Sequence, residues 1–218
     1  MFMMEGIVKI FHNRFNKLII LGAGGHGRVV ADIALKSRRW KQIAFLDDDS
    51  SLQSFLGINV IGAMNSMEQY LENCEVFVAV GNNKIRQKVF IDLEEMGAKI
   101  PTIIHPDSSI GSNVTIGKGT VIMPGVVINC NSTIGKGCII NTCASVDHDN
   151  IICDYVHLSP GVHTAGTVQV GKGTWIGICA SIRNDIQIVD NCIIGAGTVV
   201  VKDIMESGTY VGNPVKRL

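Results

Sequence analysis

The sequence predicts two parts: an α/β domain of Rossmann-like βαβ type, followed by an all-β parallel β-helix built from a hexapeptide repeat. Two observations support this. A glycine-rich segment joins a short apolar strand to a helix near the start of the chain, and aliphatic residues recur at every sixth position in the second half. We expect an extension over residues 1–16, the βαβ domain over 17–104 and the β-helix over 105–218.

The βαβ domain begins with an apolar run, residues 17–21, that is typical of a buried parallel strand. The segment GAGGHG follows at residues 22–27, and apolar residues at helical spacing come next. Backbone N–H groups at such a turn point at whatever lies above the strand end, which favours a phosphate. The alternative is a turn that serves only the packing of strand on helix.

Two further strand ends are expected beside this loop. Residues 43–46 end in three aspartates about twenty residues beyond the loop, where an acidic group commonly meets a ribose or a base. Residues 76–80 end in Gly81 and Asn82. The unit is complete by about residue 104, which leaves too few strands for a dinucleotide such as NAD or FAD. These features favour a nucleotide or a nucleotide sugar.

The second half follows a period of six residues. From Ile110 to Val200 fifteen of sixteen such positions are Ile, Leu or Val, and the exception is Thr164. A helix repeats at 3.6 and a hairpin sheet is interrupted by variable turns, so period six indicates a parallel β-helix. Three hexads make a coil, which gives about five coils. With no inserted loop, chemistry must come from outward-facing residues, and the flat faces predict a homotrimer.

The composition excludes several kinds of partner. Lys plus Arg and Asp plus Glu number 19 each, which does not favour nucleic acid. No apolar run reaches the ~18 residues of a membrane span, and the first sixteen residues lack a signal-peptide pattern. The seven cysteines form no C-x-x-C pair and are expected to be small core residues in a reducing cytoplasm.

A set of motifs extends over nearly the whole chain. They are GAGGHG at 22–27, FLDD at 45–48, GNNKIR at 81–86, IHP at 104–106, DHD at 147–149, HTAG at 163–166 and VGNPVKRL at 211–218. With them the sequence resembles the hexapeptide-repeat sugar O/N-acyltransferases of the sialic acid O-acetyltransferase type. It is most similar to the bacterial UDP-4-amino-sugar N-acetyltransferases of bacillosamine biosynthesis.

The resemblance implies a left-handed β-helix, a cytoplasmic homotrimer with sites between subunits, and acetyl-coenzyme A (acetyl-CoA) as co-substrate. It implies acetylation of the 4-amino group of a UDP-linked 4-amino-4,6-dideoxy sugar, for a surface glycan or glycoprotein. The substrate-binding residues that it implies are Gly24, Gly25, His26, Asp47, Asp48, Gly81, Asn82 and Asn141. Those of the coenzyme A groove are His157, Gly166, Ile178 and Ala196, and the catalytic residues are His148 and Asp149.

The DHD segment suits this chemistry. An ammonium cannot attack a thioester, so an amine acceptor needs a base, and histidine has an unperturbed pKa of ~6.5. His148 lies outside the interior position Val146. Because side chains alternate along a strand, Asp147 or Asp149 can orient the imidazole only if the chain turns a corner here. A donor for the thioester oxyanion is expected in residues 164–166.

Several alternatives remain open at this point. The acceptor could be sialic acid or another sugar that is O-acetylated, or a GDP- or TDP-linked amino sugar. The chain could also be a non-catalytic nucleotide-sugar-binding trimer, with DHD a solvated corner. His163 could be a structural residue on a trimer face. A metal site from His148, His157 and His163 is disfavoured by their spacing, and a nucleophilic Cys143 or Cys153 has no local activating group.

Overall fold

The computed structural model describes residues 16–218, so the extension expected over residues 1–16 lies outside the described residues except for Asn16. The amino-terminal domain consists of β1 (Lys17–Leu21), α1 (Gly25–Ser37), β2 (Gln42–Leu46), β3 (Ser54–Phe55), β4 (Ile58–Asn59), a 3₁₀ helix (Met64–Tyr70), β5 (Glu75–Val78) and α2 (Asn83–Glu95). Its main sheet is parallel with the order β2-β1-β5. The three strand ends therefore open at one edge, as predicted.

The remaining strands form a three-sided β-solenoid. The first face consists of β6 (Ile103–Ile104), β9 (Val121–Ile122), β12 (Ile139–Ile140), β15 (His157–Leu158), β18 (Trp175–Ile176), β21 (Ile193–Ile194), β23 (Thr209–Val211) and β24 (Lys216–Arg217). The second consists of β7 (Ser109–Ile110), β10 (Val127–Ile128), β13 (Ser145–Val146), β16 (His163–Thr164), β19 (Ser181–Ile182) and β22 (Val199–Val200). The third consists of β8 (Thr115–Ile116), β11 (Thr133–Ile134), β14 (Ile151–Ile152), β17 (Gln169–Val170) and β20 (Gln187–Ile188).

The predicted register is the one observed. From β6 to β22, parallel neighbours on each face pair residues that are 18 apart, such as Val127 with Ser145 and Ser145 with His163. The second face has six strands, so the solenoid has about six turns rather than about five. Two strands outside the sixteen hexads complete the sixth turn: β6, just before the boundary expected at residue 105, and β23, after the last hexad.

The repeating aliphatic positions form a continuous interior column, and Thr164 is buried in it with 2% of its surface exposed. The cysteines lie at corners of the solenoid as well as in the core. The core interpretation is correct for Cys74, Cys138 and Cys192, which are buried, and wrong for Cys130, Cys143 and Cys179, which are exposed, while Cys153 is intermediate. The three exposed thiols occupy corner positions, where side chains point away from the column.

A buried arginine joins the two parts of the chain. Arg86, on the first turns of α2, is 1% exposed. Its guanidinium donates to the carbonyl oxygens of Gly137 (2.7 Å) and Tyr155 (2.9 Å) in the solenoid, to those of Val80 (3.1 Å) and Gly81 (3.0 Å) after β5, and to Asn83 Oδ1 (2.9 Å). A guanidinium carries five N–H donors, so Arg86 uses all of them.

The rest of α2 packs along the corner between the third and first faces. Phe90 meets Tyr155 edge to face, with ring centroids 5.5 Å apart, and Glu94 forms ion pairs of 2.8 Å with both Lys118 and Lys136. The start of the helix is set by Asn82, whose side-chain oxygen accepts from two N–H groups of the first turn. Helix α2 is therefore fixed to the solenoid along its length.

We predict that Arg86→Met lowers the unfolding free energy by roughly 3 kcal/mol or more, because four carbonyl oxygens and one amide oxygen lose a buried charged donor. Urea unfolding followed by circular dichroism measures this. Lys88→Met removes an exposed charge from the same helix and should change stability by less than about 0.5 kcal/mol. A loss for Arg86→Met no larger than for Lys88→Met would contradict the prediction.

Candidate active site

The histidine of the DHD segment lies at a corner between the second and third faces. His148 and Asp149 are the two turn residues between β13 and β14, and Asp149 has a left-handed backbone with φ of +58°. The turn brings neighbouring side chains to one side, and His148 Nδ1 lies 2.7 Å from Asp149 Oδ2. Asp147 instead accepts from the backbone N–H of His148 at 2.8 Å. Asp149 is therefore the carboxylate that contacts the imidazole.

Carboxylates raise the pKa of His148 above its ordinary value. The hydrogen bond to Asp149 is the largest cause, and the negative charges of Asp147, Asp149 and Asp185 add to it. The pKa of Asp149 is lowered in turn, mainly by the hydrogen bond from His148. Because Nδ1 is bound to the carboxylate, Nε2 is the nitrogen left free to accept a proton.

A buried amide fixes the main chain of this corner. Asn150 Nδ2 donates to the carbonyl oxygens of Asp147 (2.9 Å), His148 (3.1 Å) and Ala165 (2.8 Å). Ser132 Oγ also donates to Asp147 O at 2.7 Å. Sequence analysis missed Asn150, although a signal existed: it occupies the hexad position that small or β-branched residues usually fill.

Gly166 lies one turn along the solenoid from His148. A Cβ atom at Gly166 would lie 2.6 Å from His148 Nε2, so only glycine leaves room for the ring in this position. The N–H of Thr167 donates to His148 O at 3.0 Å, whereas the N–H of Gly166 forms no hydrogen bond within residues 16–218. Gly166 therefore contributes a backbone N–H without a partner in residues 16–218, and its open side faces the unbound nitrogen of the imidazole.

A second histidine lies on the first face. His157 Nε2 is 3.3 Å from Asn141 Nδ2, and its ring stacks on Trp175 with centroids 5.9 Å apart and planes 9° from parallel. Burial, followed by electrostatic interaction with Arg86 and then with His26, lowers the pKa of His157 to about 3. His157 is therefore neutral, and because the Asn141 amide donates to Nε2, its proton lies on Nδ1.

The loop after β5, which was predicted to bind the substrate, faces His157 across a cleft of about 940 Å³. Gly81 and Asn82 line one wall, and His157, Trp175 and Ile193 line the other. The cleft joins the edge of the parallel sheet to the first face of the solenoid. The structure therefore brings together two of the predicted substrate-binding residues and one residue predicted for the coenzyme A groove.

The glycine-rich loop divides into two kinds of glycine. Gly22 and Gly27 are required by packing, since a Cβ would lie 2.9 Å from Ala79 O at the first and 1.9 Å from Gly22 O at the second. A Cβ at Gly24 or Gly25 would meet no atom within 4 Å, so these two glycines face open space. Packing therefore explains only part of the motif.

His26 lies in the same motif, in the first turn of α1. Its Nε2 is buried and forms no hydrogen bond within the described part of the chain. Burial and then the positive charge of Arg86 lower the pKa of His26 to about 4, so the ring is neutral. A neutral imidazole with an unused nitrogen can accept from or donate to a ligand, according to its tautomer.

The two predicted acidic residues hold the protein's own backbone. Asp47 accepts from the N–H groups of Ala23 (2.6 Å) and Asp49 (2.8 Å), and Asp48 accepts from Met64 N–H at 2.9 Å. They thus brace the glycine-rich loop and the start of the 3₁₀ helix. Direct contact of either carboxylate with a substrate stays a prediction.

The predicted coenzyme A residues occupy separate parts of one chain. Ile178 and Ala196 are exposed on consecutive turns at the corner between the first and second faces. His148 and Gly166 lie on the corner between the second and third faces, and His157 lies on the first face. The chain does not bring Ile178 and Ala196 to His148, because the second face lies between the two corners.

Two further properties concern residues 16–218 alone. No group of three or more His, Cys, Asp or Glu side chains there is arranged to hold a metal ion. None of the helices in this range has the length and apolar character needed to cross a membrane.

Comparison with known proteins agrees with this architecture. Residues 17–93 match the family model described as the PglD N-terminal domain, and residues 113–148 match the bacterial transferase hexapeptide (six repeats). The GDP-perosamine N-acetyltransferase of Escherichia coli O157:H7 is 31% identical over 200 residues, which cover 88% of this chain and 81% of the relative.

Two other similar proteins carry related names. The UDP-N-acetylbacillosamine N-acetyltransferase of Bacillus subtilis (strain 168) is 35% identical over 107 residues, 47% of this chain and 49% of the relative. The acetyltransferase domain of PglB from Neisseria gonorrhoeae FA1090, solved in complex with acetyl coenzyme A, superposes with a TM-score of 0.91 at 38% identity and covers 94% of this chain and 100% of that one. By sequence and by fold, this chain is an acyltransferase that belongs to the hexapeptide-repeat sugar acyltransferase family, in the group with a PglD-type amino-terminal domain.

Proposed function

We propose that this enzyme transfers the acetyl group of acetyl-CoA to the 4-amino group of a UDP-linked 4-amino-4,6-dideoxy sugar, with His148 as the general base. The observation that carries the proposal is the corner at which Asp149 binds one imidazole nitrogen and Gly166 leaves the other free beside a backbone N–H. A GDP-linked acceptor is the second candidate, because a relative whose match covers 88% of this chain is named for GDP-perosamine.

The proposed step assigns each residue a task. His148 Nε2 removes a proton from the amine as its nitrogen attacks the thioester carbon, and such a base contributes ~10²–10⁴-fold. Asp149 holds the imidazole and stabilises the imidazolium that forms. The Gly166 N–H donates to the oxyanion. Collapse of the intermediate forms the amide, breaks the carbon–sulfur bond, and returns the proton to the coenzyme A thiolate.

The acceptor is proposed to lie between the two parts of the chain. The cleft bounded by Gly81, Asn82, His157 and Trp175 is large enough for a sugar, and the open glycines of the loop lie at the same edge of the sheet. Neutral His26 and His157 offer hydrogen bonds without adding positive charge near the amine.

The coenzyme A site is proposed to form between copies of the chain. Ile178 and Ala196 lie on a different corner from His148, and the cleft at His157 opens on the first face, so one copy supplies the base while its neighbour supplies the apolar groove and the acceptor cleft. Ile178 is 53% exposed, which fits a residue completed by a ligand and a second copy. A homotrimer provides three such sites with one repeated contact.

We predict that the purified protein releases coenzyme A thiol when given acetyl-CoA and a UDP- or GDP-linked 4-amino-4,6-dideoxy sugar. His148→Ala should lower kcat/KM by about 10²-fold or more. His163→Ala, at an exposed histidine that contacts Ser145 on the second face, is the matched control and should stay within about threefold of the parent. Turnover of no 4-amino nucleotide sugar, or a His148→Ala rate within about threefold of the parent, overturns the proposal.

Asp149→Asn should move the acid limb of the kcat/KM profile to lower pH, because the carboxylate that raises the pKa of His148 is lost. The base works only when neutral, so a lower pKa extends activity downward in pH. The plateau rate should fall by roughly tenfold or more as the ring loses its orientation. Asp147→Asn, which changes a group bound to the backbone, should shift the limb less. An unmoved or upward-moving limb for Asp149→Asn would argue against this role.

The subunit arrangement can be tested by complementation. Light scattering should give three times the chain mass of 23.5 kDa. His148→Ala and Ile178→Glu should each be inactive alone, while co-expression should restore about a quarter of parental activity, since random assembly joins one intact corner of each kind at that frequency. A monomeric mass, or mixed trimers without recovered activity, contradicts sites shared between copies.

A further inference from the structure

A second cleft, of about 740 Å³, lies on the other side of the start of α2. It runs between α2 and the 3₁₀ helix, and its walls include the apolar side chains of Met64, Met67, Ile85 and Val89. Asp48, at the end of β2, lies at the same cleft. Apolar walls beside a few polar groups are the usual surroundings of a nucleobase or another flat ring.

Lys84 is the one residue that lines both clefts. It is exposed at the second position of α2, and its ammonium forms no ion pair within residues 16–218. The side chain of Asn82 already accepts from the N–H groups of Lys84 and Ile85, both at 3.1 Å. Positive charge at this junction is therefore supplied by the lysine side chain rather than by free N–H groups of those residues.

The distribution of charge along the second cleft gives it a direction. Asp92 lines the same cleft eight residues further along α2, which is ~12 Å at the rise of a helix. An anionic group is favoured at the Lys84 end and disfavoured at the Asp92 end. Lys88 lies between them and also lines only the second cleft.

We propose that Lys84 binds the diphosphate of the acceptor, with the sugar in the cleft at His157 and the nucleoside in the cleft at Met64 and Met67. This deepens the proposed function and rests on it: a nucleotide sugar has a nucleoside and a sugar joined by a dianionic diphosphate, and the two clefts meet at one cation without an ion pair in residues 16–218. Lys84 thus selects sugars that carry a diphosphate over free sugars and sugar monophosphates.

Calorimetry with UMP, UDP, GMP and GDP tests the charge. For whichever base binds, the diphosphate should bind the parent more tightly than the monophosphate, and Lys84→Ala should weaken diphosphate binding by about tenfold or more. Lys84→Arg should retain most of the affinity. Lys41→Ala, at an exposed lysine just before β2 and so at the opposite end of the strands, should change it by less than about twofold. A loss below about threefold for Lys84→Ala overturns the proposal.

Coenzyme A also contains a diphosphate, so its affinity is measured with the same variants. Unchanged acetyl-CoA binding by Lys84→Ala supports the assignment to the acceptor, whereas a tenfold loss for acetyl-CoA but not for nucleotide refutes it. If the parent binds neither UDP nor GDP, both the proposed function and this inference fail. If it binds and acetylates normally but Lys84→Ala is unaffected, only this inference fails.

Two tryptophan variants of neighbouring residues on α2 test the placement of the nucleoside. Ile85 lines only the second cleft and Gln87 only the first. Ile85→Trp should weaken binding of free UDP or GDP by about tenfold, while Gln87→Trp should leave it within about twofold and instead raise the KM of the nucleotide sugar. The reverse pattern would place the nucleoside in the first cleft and overturn the arrangement.

Discussion

The guanidinium of Arg86 lies where α2 and the end of β5 meet two consecutive turns of one solenoid corner. Each of its five N–H donors has a protein acceptor. None of these acceptors is a carboxylate, so the charge stays uncompensated within a buried region. That charge contributes to the lowered pKa values of His26 and His157. One residue therefore fixes how the two parts of the enzyme are placed, and it adds to the effect of burial, the larger cause, in keeping His26 and His157 neutral.

The electrostatics around His148, the proposed base, are opposite and local. His148 lies on a different corner, among Asp147, Asp149 and Asp185, and its pKa is raised. The enzyme thus separates neutral histidines, which suit hydrogen bonding to a ligand, from one histidine whose affinity for protons is increased. The scaffold that keeps them apart is rigid at His148, because the buried side chain of Asn150 bonds the main chain of that corner.

Much of this could be predicted from sequence because repeats translate directly into space. The period of six defined the solenoid, its interior column and the outward position of His148. Other features depend on contacts between distant residues and carry no local pattern. Two of the five contacts of Arg86 join residues 51 and 69 positions apart, and Asp47 proved to hold Ala23 N–H. The coil count was low because two strands, Ile103–Ile104 and Thr209–Val211, lie outside the recognisable hexads.

The anchor points of Arg86 have a consequence for how such chains can change in length. Gly137 and Tyr155 are corner residues one full turn apart, and His148 lies between them in the sequence. Whole turns inserted after Tyr155 would lengthen the solenoid and leave the spacing between the imidazole and the amino-terminal domain intact. A turn inserted between these residues would move the two anchors apart by a further strand spacing of ~4.8 Å and uncouple them. The length of the segment 137–155 is therefore constrained by Arg86, whereas whole turns can be added after Tyr155.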